Sequence, residues 1–194
     1  MPPSSPAEVM KENQSIVWML LSHLPAEAMR KGTIALSGGF AEQMYAKAFN
    51  YWVSDLDLFV TGEDSADRQF LDLVKQLEDN LRKSGYGIIK KIQCRWGRYN
   101  EVGDRALYVI DFTINGIHPK LQVIQTDLCD IQEVIDQFDI DIVSVVYDVV
   151  NDDFQLSGEV KEAITNRVAS IRPFLFHSYD VSKSDLDKFK NSMK

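Results

Sequence analysis

Histidine and cysteine are scarce in this chain. The three histidines, His23, His118 and His177, lie far apart and make no ligand set, and the two cysteines, Cys94 and Cys129, have no close spacing. This pattern fits neither a disulfide framework nor a zinc site, so reduced thiols in a reducing cytoplasm are expected. No apolar run approaches the roughly 20 residues of a membrane span. The opening MPPSSPAEVMKENQSIVWMLLSHL has no basic leader before its short apolar stretch, and no signal peptide is expected. Internal repeats and low-complexity linkers are missing too. Positive charge is in deficit: 21 Lys and Arg against 29 Asp and Glu give a formal net charge of −8. That argues against a protein that simply coats nucleic acid. No Ser-His-Asp or Cys-His arrangement is legible.

What is present is enough for a real core. At 194 residues and 45% hydrophobic content the chain suits one domain, or one domain with a small helical appendage. Apolar residues Val9, Ile16, Met19, Leu20 and Leu24 follow a helical period over residues 6–29. A short strand is predicted at 33–36, a helix at 40–50 and a strand at 55–60. Ser65 is placed to cap a long helix over 66–83, whose apolar stripe is Phe70, Leu73, Val74, Leu77 and Leu81. Strands follow at 87–96, 106–115 and 120–125, the last two joined through the turn pair Asn115-Gly116. A short helix at 131–138, a strand over 139–147 and a helix at 158–171 complete the pattern. Together these predict an α+β fold: a mixed sheet flanked by helices, with a short C-terminal helical tail. The expected divisions are an N-terminal helical segment (1–29), a core (30–150) and a C-terminal helical extension (151–194).

The chemistry-bearing stretch is LSGGFAEQMYAKAFNYWVSDLDLFV, residues 36–60. Alternation sends Asp55 and Asp57 to one face of their strand and Leu56 and Leu58 to the other. Two like charges side by side on a half-buried surface repel and lose hydration, and a divalent cation is the commonest remedy. The Ser37-Gly38-Gly39 turn ahead of a helix lets backbone amides approach a phosphate, because no side chain intervenes. The Ser37 hydroxyl can donate to the same oxygens. The bland alternative places both aspartates on a solvated strand face. Asp139 and Asp141 repeat the Asp-x-Asp spacing with no glycine-rich turn before them and read as structural.

An apolar strand, Gly-Gly, a helix and then Asp-x-Asp in a strand resemble the nucleotidyltransferase superfamily of the DNA polymerase β type. The carrying residues are Leu36-Ser37-Gly38-Gly39 and Asp55-Leu56-Asp57-Leu58, and the resemblance covers residues 30–150. It implies a sheet of the nucleotidyltransferase type, Mg²⁺ on Asp55 and Asp57, and an NTP held by Ser37, Gly38 and Gly39. It also implies transfer of an NMP group to a hydroxyl on an RNA end, a protein or a small antibiotic. The interval from Gly39 to Asp55 is longer than in compact members. A third carboxylate is implied on a later strand, where the order along the chain points to Gln122; Asp111, in the apolar strand just upstream, fills the role if the strand order differs. Gln122 favours an alternative, a catalytically degenerate member that acts as a nucleotide-, nucleic-acid- or protein-binding module of antitoxin-like or regulatory kind.

Other features carry less. Lys90, Lys91, Arg95, Arg98 and Arg105, with Trp96 and Tyr99, form the one basic stretch, readable as a polyphosphate surface or as a solvated strand pair. Arg172 can reach a nucleotide phosphate or cap a helix end. Trp52 lies close enough to the aspartates to line a base pocket. The oligomeric state has no signature.

Overall fold

Phe70, Leu73, Val74, Leu77 and Leu81 recur at helical spacing and demand one buried flank. The computed structural model describes residues 15–46, 55–96, 106–117, 119–136, 144–148, 151–166 and 168–169, and in it these five line the inner side of one 17-residue helix. In chain order the elements are α1 (described over residues 15–21), α2 (Ala26–Lys31), β1 (Ile34–Ser37), α3 (Gly39–Ala46), β2 (Asp55–Val60), a 3₁₀ turn (Gly62–Ser65) and α4 (Asp67–Lys83). They continue with β3 (Ile88–Trp96), β4 (Ala106–Ile114), β5 (Lys120–Gln125), α5 (Ile131–Asp136), β6 (Val146–Asp148), β7 (Asp153–Gln155) and α6 (Gly158–Asn166).

The strands form one mixed sheet in the order β3-β4-β5-β2-β1-β6-β7. β2 and β5 run parallel, and the other described pairs are antiparallel. The parallel pair requires a long crossover, which α4 and the β3–β4 hairpin supply. One face of the sheet carries Leu36, Leu56, Leu58, Ile110, Phe112, Leu121 and Val123, packed under α1 and α4. Each such side chain fully buried stabilises the fold by about 1.5–3 kcal/mol. Among the described residues, the opposite face receives α5, which lays Ile131, Val134 and Ile135 over Ala35, Phe59, Val109, Ile124 and Val146. Next to that cover, α3 and α6 meet through Ala41, Val145 and Val160.

The α+β class, the mixed sheet and the helical C-terminal segment agree with the sequence reading. Four details differ. The N-terminal helical pattern breaks where Pro25, which has no N–H to continue a helix, enters at the start of α2. Ser65 does not cap α4: its hydroxyl donates to the Thr126 carbonyl, and Ala66 takes the cap position without a side-chain bond. The strand predicted over 139–147 is Val146–Asp148, with residues 137–143 outside the described ones. β7 was not foreseen, because three residues are too few for an alternation to register.

Candidate functional site

Alternation along β2 does what the sequence requires of it. Leu56 and Leu58 enter the core, and Asp55 and Asp57 stand half-buried on the opposite face. Each of these carboxylates has its Oδ1 shut off from solvent. The sheet register then sets a polar row across four neighbouring strands. Ser37 on β1 is opposite Asp57, Asp57 is opposite Gln122 on β5, and Gln122 is opposite Asp111 on β4. Both candidates for the third position therefore join the cluster, Gln122 directly beside Asp57 and Asp111 one strand further.

The glycines fit this row. Gly38 has φ +81°, a left-handed conformation that glycine adopts without strain, and a Cβ placed on it would lie 3.1 Å from Asp57 Oδ2. Gly39 opens α3, whose first turn closes when the Glu42 amide donates to the Gly38 carbonyl at 3.1 Å. Ser37 is fully buried, and its hydroxyl donates to the Val145 carbonyl at 2.7 Å, tying β1 to the approach to β6. Its proton is thereby committed within the fold. Arg172, Trp52, Asp139, Asp141 and His118 lie outside the described residues.

Sequence reasoning missed Lys120. It opens β5 opposite Asp55, on the same face as Gln122 two residues on. Its Nζ stands 3.2 Å from Asp55 Oδ1 and 3.6 Å from Asp111 Oδ2. Gln122 Nε2 donates to the other Asp111 oxygen, Oδ1, at 2.8 Å. Burial alone would lower the Lys120 ammonium, but its bond to Asp55 and the charges of Asp55 and Asp111 outweigh that and raise it above the ordinary lysine value. The signal was present as the alternation Lys120, Gln122 along a predicted strand. It carried no weight until the register placed that face beside β2.

The donor set suits a Mg²⁺ ion held by two carboxylates and completed by phosphate and water, the usual arrangement for that cation. Asp55 and Asp57 supply the carboxylates, and the missing Cβ of Gly38 leaves room beside Asp57. A cage made by the protein alone is not offered: among the described residues no three His, Cys, Asp or Glu side chains are grouped to hold a metal. The basic stretch divides. Lys90 pairs with Glu78 on α4, whereas Lys91 is exposed and in register with Asp111, at the rim of the cluster. The side chains of Arg95 and Trp96, and residues 98, 99 and 105, lie outside the described ones.

Fold and site together define an α+β protein with the polar row Ser37–Asp57–Gln122–Asp111 on one sheet face. Among the described residues no helix is long and apolar enough to cross a membrane. The chain belongs to the Gad2 (Gabija anti-defense 2) family, whose model matches residues 9–167. It matches no curated protein.

Proposed function

We propose that this chain binds an NTP with Mg²⁺ and transfers its NMP group to an acceptor hydroxyl, and that this chemistry serves the anti-defense role named by its family. The observation that carries the proposal is the row Ser37–Asp57–Gln122–Asp111, flanked by Asp55 and by the side-chain-free Gly38. The resemblance to nucleotidyltransferases supports it from the sequence. In this reading Asp55 and Asp57 hold Mg²⁺, which supplies charge compensation at the phosphates. The Gly38-Gly39 turn receives the triphosphate, and α3 starts where its amides face those oxygens. A bond forms from the acceptor oxygen to the α-phosphorus, the α–β bridging bond breaks, and pyrophosphate leaves. The acceptor proton must also leave. Asp111 takes it only after giving up Gln122 or Lys120, since both its oxygens face donors.

That engagement of Asp111 favours a second reading, in which the site binds nucleotide, nucleic acid or a protein partner without transfer. Thermal unfolding with Mg²⁺ and each NTP, on wild type and on Asp55→Ala/Asp57→Ala, tests the binding shared with the first. A nucleotide at a hundred times its dissociation constant stabilises by about 2.7 kcal/mol, a shift of several degrees. The expected result is a Mg²⁺-dependent shift in wild type that the double variant lacks. No shift with any NTP sinks the nucleotide reading. Incubation with α-labelled NTP and RNA or protein acceptors then separates transfer from binding alone.

A further inference from the structure

Asp55, Asp57 and Asp111 place three carboxylates on one sheet face, and the ammonium of Lys120 stands between two of them. In the nucleotide reading above, one divalent cation sits on Asp55 and Asp57. Yet that cation must approach Asp55 while Lys120 already holds it at 3.2 Å. A cation and an ammonium sharing one carboxylate repel each other, and at half-buried positions solvent screens this repulsion incompletely. A polyphosphate changes the balance, because it brings negative oxygens to the same face and offers Lys120 a new partner. Asp111 keeps Lys120 in reach of that partner: Gln122 fixes one Asp111 oxygen at 2.8 Å, and the other faces Nζ at 3.6 Å.

We propose that Lys120 is a ligand-binding residue that keeps bare divalent cations off Asp55 and admits them together with a polyphosphate, whose oxygens it then contacts. This inference rests on the nucleotide reading above and deepens it. Lys120 thus makes cation and phosphate binding mutually dependent, and the site remains closed to free Mg²⁺ in the resting protein. A lysine serving the fold alone would affect neither ligand.

The test uses Mn²⁺ and inorganic triphosphate as probes, with titration calorimetry on the full chain. Lys120→Gln removes the charge, and Lys120→Met keeps the aliphatic stem as a second variant. The Lys120 side chain is 36% exposed, so both changes are compatible with folding, which thermal unfolding checks. Each variant should bind Mn²⁺ alone roughly tenfold more tightly than wild type and triphosphate with Mn²⁺ roughly tenfold less tightly. Lys120→Arg should keep the wild-type order of affinities. Two changes of opposite sign from one substitution are the signature. Unchanged Mn²⁺ affinity in both neutral variants overturns the role of Lys120 and leaves the nucleotide reading standing. Triphosphate binding by neither wild type nor variants overturns the nucleotide reading and the phosphate half of this one, while the Mn²⁺ arm still decides whether Lys120 excludes cations.

Discussion

Gly38 shows how one residue links backbone conformation to the site. Its φ of +81° is open to glycine and costs other L-residues about 1–2 kcal/mol. A Cβ there would also press on Asp57 Oδ2 at 3.1 Å. Gly38→Ala should therefore lower stability by about 1–2 kcal/mol in urea unfolding. It should also abolish the Mg²⁺-dependent shift with NTP, because the methyl group occupies the space beside Asp57. A variant that loses stability but keeps the full nucleotide response would show that Gly38 serves the turn alone. Ser37, next to it, acts through the fold by donating to Val145.

Among the elements, α4 and β2 have complementary tasks. β2 must keep Leu56 and Leu58 down for Asp55 and Asp57 to face up, and what holds those leucines is the inner stripe of α1 and α4. Leu77 is fully buried at the centre of that stripe. Leu77→Ala should cost about 2–5 kcal/mol through lost burial and the cavity left behind, read as a fall in the urea midpoint at unchanged slope. From the roughly 5–15 kcal/mol of an ordinary domain this loss leaves most molecules folded at 25 °C, so nucleotide binding should persist while the urea midpoint falls. The ends of α4 are held by tertiary bonds: Ser65 reaches Thr126 and Asn80 donates to the His23 carbonyl, which fastens the helix to its neighbours.

For the whole molecule, pH reads two ion pairs at opposite ends of the scale. Glu78 on α4 is lowered below its ordinary 4.5, chiefly by the hydrogen bond from Lys90 on β3 and further by Arg82. A lowered carboxylate contributes stability that is present above its unfolded value and lost as pH falls through the folded one. Lys120 is raised above 10.5, so its contribution is present below that pH and lost as pH rises through its folded value. The urea midpoint should therefore hold through neutral pH and fall below about pH 4.5, with a second fall above about pH 10.5. Glu78→Gln should be less stable at pH 7 by about 1 kcal/mol and show a shallower acid limb. Lys120→Gln should lose part of the alkaline limb. An acid limb unaltered by Glu78→Gln would assign that fall to other carboxylates.

Much of the fold was legible because local periodicity carries it. The stripe of α4, the alternation of β2 and β5, and the Asn115-Gly116 turn each record their burial pattern within a few consecutive residues. Where the reading failed, the deciding contact lay far along the chain: Thr126 takes the Ser65 hydroxyl across 61 residues, and Val145 takes that of Ser37 across 108. The pairing of Asp55 with Asp57 on one face was fixed by sequence alone, since alternation is a property of any extended strand. Their relation to Asp111, Gln122 and Lys120 was not. Only the parallel register of β2 with β5, and the antiparallel register of β5 with β4, decided which residues share the row. The physical reason is that a strand determines the faces of its own side chains, whereas its neighbours and their register depend on how the whole sheet buries its apolar face.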